Sequence, residues 1–468
     1  MSFRALETAY RGLISQQRAV DTSNHNVANA NTPGFSRQRV LFTPTAPYTV
    51  PAFNRSALAG QVGTGATVAA ITRVREYVFD FQLRVQSEAL GDASTRVATY
   101  TQLEGIFNEP GENGLGALLD RFWRAWQAVT NQPEDLAARA SLVQESTTLA
   151  ANINRIRQQL GQLQEDLVQK LTLQTGEVNS IAERVAALNA QITAAIATGQ
   201  NPNDLADQRD LLLDQLAQFT GVTARTLPNG AVNLYLGGYP LVDQDQSFAL
   251  EVVISGGTAS IAWQASGSAA AIQRGSLTAL LDLHNTVVPG LLAQAESIRD
   301  ALANEVNALH QTGYGLTDTL PPPRGRDFFE ILPSGDLRVN PALVSDPALI
   351  AASSAPGAPG NNDVARQIAD LRYALVMNSN TATVNDFYNA LIAELGGDSR
   401  QARVAKENQE TLVQAIDRQR QEISAVSIDE EMANLVKFQH AYQAAARAIT
   451  AVDEMLDRII NGMGIVGR

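Results

Sequence analysis

The stretch Ile428-Asp429-Glu430-Glu431-Met432-Ala433-Asn434-Leu435, continued to Ile460, decides how this chain is organised. Taken every three and four residues, it aligns Ile428, Leu435, Phe438, Tyr442, Ala445, Ile449, Val452, Leu456 and Ile459. That is an a/d heptad seam, interrupted only at Glu431, on a segment with no proline and no internal glycine. Gly462 and Gly464 follow and are expected to stop the helix. Such a seam wants a partner helix, and the other end of the chain offers one. Phe3, Leu6, Tyr10, Leu13, Gln17, Val20, Asn24 and Val27 follow the same spacing. The spacing predicts that the two termini form one coiled-coil-like unit, with the middle of the chain inserted between them. Charge agrees with the pairing. Residues 1–40 carry five arginines against Glu7 and Asp21, and residues 421–468 carry seven acids against four bases. A solvated charged face explains the same pattern about as well, since exposed pairs contribute only ~0–1 kcal/mol.

With 468 residues the chain is long enough for two to four domains. Hydrophobic content of 45% suits a globular protein, and the abundance of alanine and glutamine favours long helices. A net charge of −13 argues against nucleic acid as the main partner, which would need a basic surface. No run of 18 apolar residues occurs, so no membrane insertion is expected. The first 30 residues lack the apolar core and cleavage site of a conventional signal peptide. Cysteine is absent, which excludes disulfides, thiolate metal sites and cysteine nucleophiles.

In chain order, the first helix runs into Asn29-Ala30-Asn31-Thr32-Pro33-Gly34-Phe35, a turn in which Gly34 can take positive φ and Pro33 cannot continue the helix. Residues 36–75 are expected to be extended and loop-like, with a strand at Thr67–Ile71. Helical spacing returns over 76–108 (Val78, Phe81, Val85, Val97, Tyr100, Leu103, Phe107). A shorter helix follows with Leu115, Leu118, Phe122, Trp126 and Val129 on one face. Trp123 and Trp126 are read as core rather than as a ligand box. From Leu136 to about Thr198 there is no proline, and a seam from Ile153 to Ile192 predicts a helix of roughly 90 Å, bent or broken at Gly161 or Gly176. Pro202 opens another helix, with Asn201 or Asn203 as its cap. Asp204, Asp207, Asp210 and Asp214 lack calcium-loop spacing and are read as capping and solvated acids. At Gly221 the period switches to two, and residues 221–270 are read as a small β-rich module. Ser276 is expected to cap a long helix to His310, kinked at Pro289. Residues 311–362 are irregular and rich in proline and glycine, with a hairpin of Asp327–Ile331 and Leu337–Val339. A last long helix runs from Val384 to Ser424, with an interruption at Gly396-Gly397.

The expected plan is a terminal helical domain of 1–55 plus 425–468 and a long-helix bundle of 56–220 plus 271–424. The inserted β-rich module is 221–270, with 311–362 irregular and available to pack on it. The fold class is mainly α with a smaller β-rich module, elongated and multidomain. Chemistry is sparse. His25, His284, His310 and His440 are the only histidines, none at metal-ligand spacing, and no nucleophile elbow or phosphate loop is present. No catalytic, cofactor-binding or metal-binding residue is assigned, and no enzyme activity is expected.

The segment Ser23-Asn24-His25-Asn26-Val27-Ala28-Asn29-Ala30-Asn31-Thr32-Pro33-Gly34-Phe35 resembles the N-terminal signature of bacterial flagellar rod, hook and hook-associated proteins. His25 stands where asparagine is more usual. Further stretches are similar to the hook-associated members of that family: Ser36-Arg37-Gln38, Phe122-Trp123-Arg124-Ala125-Trp126 before Asn131-Gln132-Pro133, Asn203-Asp204-Leu205-Ala206-Asp207-Gln208-Arg209-Asp210, and Ser427–Leu435. The resemblance is nearly end to end, weakest in 221–270 and 311–362. It implies a structural role at the hook–filament junction, with the termini paired in the inner layer of a tube. It implies self-assembly in a ring or helical lattice, with hook protein and hook-associated protein 3 as neighbours. A cytoplasmic export chaperone on the C-terminal helix and secretion through the flagellar type III apparatus, unfolded and uncleaved, are implied as well. The subunit-assembly interface would then comprise Leu6, Leu13, Val20 and Val27 with Leu435, Phe438, Tyr442, Ile449, Val452, Leu456 and Ile459. Hook protein is the nearest alternative, but its middle would be mostly β. A soluble enzyme or a sensor on a long coiled coil is the competing class. A convergent polar pocket would mark the enzyme, and a membrane span or ligand domain the sensor.

Overall fold

A computed structural model describes residues 3–48 and 62–462. Helix α1 (Phe3–Ala28) and helix α11 (Ile428–Gly462) lie along one another. Gly12 faces Ala445 at the middle of both, and Arg37, just beyond α1, reaches Glu430 and Glu431 at the start of α11. The two helices are therefore antiparallel. Residues 36–75 are more ordered than expected: β1 (Gln38–Pro44) and β2 (Ala66–Arg73) form an antiparallel pair with a bulge between Leu41 and Phe42. Pro44 and Pro47 lie at or past the end of β1, so they do not interrupt its ladder, and Pro51 falls outside the described residues. The pair packs on α1, where Ser15 Oγ donates to the Ala66 carbonyl.

Helix α2 (Tyr77–Phe107) ends at Asn108, a residue type that tolerates the left-handed conformation it adopts here. Its expected apolar stripe is correct from Tyr100 onward, but Val78 and Phe81 are exposed. Helix α3 (Leu115–Asn131) buries Leu118, Phe122, Trp123, Trp126 and Val129, so both tryptophans are core. Helix α4 (Leu136–Ala197) is one continuous helix of 62 residues, about 90 Å long. Gly161 and Gly176 do not break it. An interior glycine costs ~1 kcal/mol, little beside the burial of Ile153, Leu160, Leu167, Val178 and Val185.

Helix α5 (Asn203–Phe219) leads into the β module: β3 (Thr223–Thr226), β4 (Val232–Leu236), β5 (Tyr239–Asp243) and β6 (Gln246–Ser247) in a meander, then the hairpin β7 (Leu250–Ser255) and β8 (Thr258–Trp263). Helix α6 (Ser276–Asp282) passes through a wide π turn at Leu283–Val287 into α7 (Val288–His310). Two expectations change here. Ser276 is not the cap, since Gly275 holds that position and Ser276 Oγ donates to Gln174. The irregularity precedes Pro289 because the proline has no N–H for the Asn285 carbonyl and its ring crowds that carbonyl. Strands β9 (Phe329–Ile331) and β10 (Leu337–Val339) pair as expected, followed by α8 (Pro341–Ser345), α9 (Asp363–Asp370) and α10 (Val384–Ser424). Gly396 and Gly397 do not interrupt α10.

Three asparagines on α4 hold these strands by their main chains. Asn154 brackets Leu337, Asn179 brackets Leu250, and Asn189 brackets Val232. Because Asn154 and Asn179 are 25 residues apart, β9–β10 and the β7–β8 hairpin sit about 40 Å apart along α4. The irregular 311–362 stretch thus packs near the first half of α4, away from the β module. Among the described residues, the apolar core runs from Tyr100 to Ala402 and includes none from α1, β1, β2 or α11.

Candidate assembly interface

The seam residues of α1 and α11 are only partly covered within the subunit. Leu6, Leu13, Val20 and Val27 are half-buried, as are Leu435, Phe438, Ile449, Val452 and Leu456, while Tyr442 and Ile459 are each 36% exposed. The deeply buried face of α1 is a different one. Ser15, Ala19, Thr22, Ser23 and Asn26 are small or polar and lie under the β1–β2 pair and its neighbours. A second apolar line on α11, Ile428, Met432 and Val436, is exposed. The two helices cover the seam only in part, and α11 keeps exposed apolar surface beside it.

Glu431, the one break in the seam, has a specific purpose. It is 2% exposed and accepts from Arg37 Nε at 2.7 Å, while Arg37 forks onto Glu430 at 2.9 and 3.0 Å. Burial disfavours the Arg37 charge, but the two glutamates more than offset this and hold the guanidinium above its ordinary pKa. The charge complementarity of the two ends is realised as a specific clamp at Arg37, whereas Arg11 pairs with Glu7 of its own helix.

The signature turn is built by side chains closing on main chain. Asn26 donates to the Gln38 carbonyl (2.8 Å) and accepts from the Gln38 N–H (2.9 Å), joining α1 to β1. Asn29 bonds the His25 carbonyl, and Thr32 bonds Asn29. Phe35 meets the His25 ring edge-on. Gly34 has φ +80°, and a Cβ there would lie 3.1 Å from Leu211 Cβ, so both conformation and space call for glycine. Asn24, Ala28, Asn31 and Thr32 are exposed and Ser23 is buried.

The turn docks on the first turns of α5. Neither Asn201 nor Asn203 caps that helix; Pro202 precedes it and Asn203 instead donates to the Ile71 carbonyl. Asp204 accepts from Gln38 Nε2 (2.6 Å) and faces His25 Nε2 (3.2 Å). Asp207 accepts from both the N–H and the hydroxyl of Ser36, each at 2.8 Å. The reading of these acids as capping and solvated holds for Asp204, which is exposed in the first turn, and is corrected for Asp207 and Asp210, which are 4% and 6% exposed. Arg73 spans both at 2.8 Å, and Arg75 grips Asp80 with two nitrogens. Arg84 and Arg420 share Asp214 at 2.7 Å each. Four arginines thus neutralise four aspartates. Burial would raise the Asp210 carboxyl, but Arg75, Arg73 and Arg84 hold it below the ordinary carboxylate value. Arg209 points the other way, to Asn189 and the Gly230 carbonyl, and ties α5 to the β module.

Spacing brought α1 and α11 together correctly, but the ionic knot was missed. Its signal was the placement of Asp207, Asp210 and Asp214 on one face of α5, three and four residues apart. Their partners come from β2, α2 and α10, far apart in sequence. Among the described residues no cluster of acids or histidines is arranged to hold a metal ion, and no helix is long and apolar enough to cross a membrane.

Comparison with known proteins agrees with the two motifs that meet here. Residues 100–329 match the family description "Flagellar hook-associated protein FlgK helical domain". Residues 418–462 match "Flagellar basal body rod FlgEFG protein C-terminal", and residues 6–35 match "Flagella basal body rod protein". The flagellar hook-associated protein 1 of Escherichia coli strain K12 is 24% identical, over 97% of this chain and 99% of its own. The solved flagellar hook junction protein FlgK from Burkholderia pseudomallei shares the fold, with a TM-score of 0.61 at 17% identity, over 74% of this chain and all of its own. The flagellar hook-associated protein 1 of Bacillus subtilis strain 168 is 31% identical, over all of this chain and 99% of its own. Matched from end to end at that identity, the chain belongs to the flagellar hook-associated protein 1 family.

Proposed function

We propose that this protein assembles at the distal end of the flagellar hook and forms the junction between hook and filament, as a structural subunit rather than an enzyme. The observation that carries the reading is the terminal hairpin, whose heptad seam is only half covered by the subunit's own two helices. Leu6, Leu13, Val20 and Val27, with Leu435, Phe438, Tyr442, Ile449, Val452, Leu456 and Ile459, are the assembly surface. Each such side chain contributes ~1.5–3 kcal/mol when fully buried, less the cost of ordering it, so several must act together. Copies of the chain are the first partners, in a ring or helical lattice. Hook protein lies below them and hook-associated protein 3 above. Before export, a cytoplasmic chaperone covers the α11 seam in place of α1. Export is unfolded and without signal-peptide cleavage, and the absence of cysteine suits that route.

The division of the chain follows the same logic. The terminal residues 1–55 and 425–468 form the inner unit, extended here by β2. The bundle of 56–220 plus 271–424 and the 221–270 module lie outward from it. A hook or rod-type axial role is the second reading, since the two ends match rod-protein families. The helical domain matched over 100–329 favours the junction.

The test is a strain lacking the protein, supplied with a chain carrying Leu435→Asp, Ile449→Asp and Leu456→Asp. The helical body folds, because none of the three belongs to its core, but hooks carry no filaments and the protein is missing from hook tips. If that strain completes its filaments, the seam is not the assembly element. Antibody labelling between hook and filament in the parent strain checks the location.

A further inference from the structure

The chain passes between the terminal unit and the helical body through two short links. Residues 74–76 join β2 to α2, and residues 425–427 join α10 to α11. Both links converge on one residue. The Arg37 N–H donates to the Ser424 carbonyl at 2.9 Å, and its carbonyl accepts from the Val74 N–H at 2.8 Å. Next to this point the terminal unit is clasped to α5, Ser36 by Asp207, Gln38 by Asp204 and the Ile71 carbonyl by Asn203. Adjoining this clasp, a cleft of about 270 Å³ floored by Leu211 and Asp214 of α5 separates Ala30–Ser36 from Arg420, Ser424 and Val426. The apolar core does not cross the joint, where Leu211 lies beneath Gly34. Two paired links, a polar clasp and an open cleft beside it are the anatomy of a hinge.

We propose that residues 74–76 and 425–427 are the hinge of the subunit, pivoting on Arg37, and that Asp207 is the positioning residue that fixes its angle. Asp207 is singled out because its carboxylate, on the body's α5, takes two separate segments of the terminal unit at once. It takes the Ser36 N–H and hydroxyl from the turn, and Arg73 from the end of β2. Removing its charge leaves Ser36 with a weaker acceptor and Arg73 with Asp210 alone. The joint then closes toward or opens from the cleft, while both rigid parts stay folded. The Asn29–Phe35 turn supplies the surface that docks, and α5 supplies the stop. The proposal rests on the assembly reading for its purpose, since subunits sharing one lattice need one angle, but its test needs no assembly.

The chain has no cysteine, so two can be placed freely. Gln443→Cys on the exposed side of α11 and Glu165→Cys on the exposed side of α4 take spin labels. Pulsed electron paramagnetic resonance then reads the distance distribution across the joint in the purified full-length chain. The parent is expected to give a single narrow distance, and Asp207→Asn to lose it for a broad or split distribution with unchanged circular dichroism. Ser36→Ala, which removes one of the two bonds between Ser36 and Asp207, shifts the distribution the same way to a smaller extent. It decides the matter if Asp207→Asn fails to fold. A distribution in these variants that coincides with the parent overturns the assignment of Asp207. A broad distribution already in the parent overturns the lock. Neither result bears on whether the seam drives assembly, which the aspartate-substituted seam tests separately.

Discussion

At the scale of single residues, the chain repeatedly places a polar group where the pattern asks for an apolar one, and then gives it a partner. Glu431 interrupts a heptad seam and is buried against Arg37. Asp207 and Asp210 leave solvent and are met by Arg73. Losing one member of such a pair costs more than the pair itself contributes, because the other charge is left buried. His310 is the same case without a charged partner. It is 1% exposed; its Nδ1 donates to the Arg326 carbonyl at 2.7 Å, and its Nε2 accepts from the Ala351 N–H at 3.0 Å. Both bonds require the neutral ring, and burial lowers its pKa to about 4. Between that value and the ordinary 6.5, the unfolded chain takes up a proton that the folded chain refuses. Stability is therefore expected to rise with pH across this window and to level off above it, by about 3 kcal/mol from this group. Urea midpoints measured across the window read the slope, which should be shallower in His310→Phe even though that variant is less stable at neutral pH.

At the scale of elements, helix periodicity was legible almost everywhere because long helices repeat the signal many times. The extents of α3, α4, α10 and α11 follow their seams closely. What the sequence concealed is what joins elements far apart. Arg73 at a strand end and Arg420 on α10 carry no local sign that they converge on α5, and Asn203 resembles a cap until Ile71 is seen beside it. Glycine was also over-read as a breaker. Gly161 and Gly176 lie in the regular interior of α4, and a Cβ at either position would meet nothing within 4 Å. They lower stability through backbone entropy and serve no packing need visible in the fold. Gly161→Ala and Gly176→Ala should each raise the stability of the helical body by roughly 0.5–1 kcal/mol. The two effects should add, since the sites are far apart on one rod. Denaturant midpoints of the single and double variants measure this. A loss of stability would mean that α4 bends at these glycines in solution.

At the scale of the molecule, stability and assembly are separated. The continuous apolar core is confined to Tyr100–Ala402, whereas the terminal unit buries mainly small and polar residues and leaves its apolar seam half open. Its hold on the body is polar, through the knot around α5 and the Arg37 pivot. A part joined in this way adds little to the cooperative unfolding of the rest, because stability follows the units that share a core. Deleting residues 1–30 from the purified chain should accordingly leave the main melting transition nearly where it was. The same deletion should raise hydrogen exchange along α11, which loses the helix covering its seam, and abolish incorporation at the hook. A large fall in the main transition would mean that α1 belongs to the body's cooperative unit. In that case the seam would be a folding element of the subunit first and an assembly surface only second.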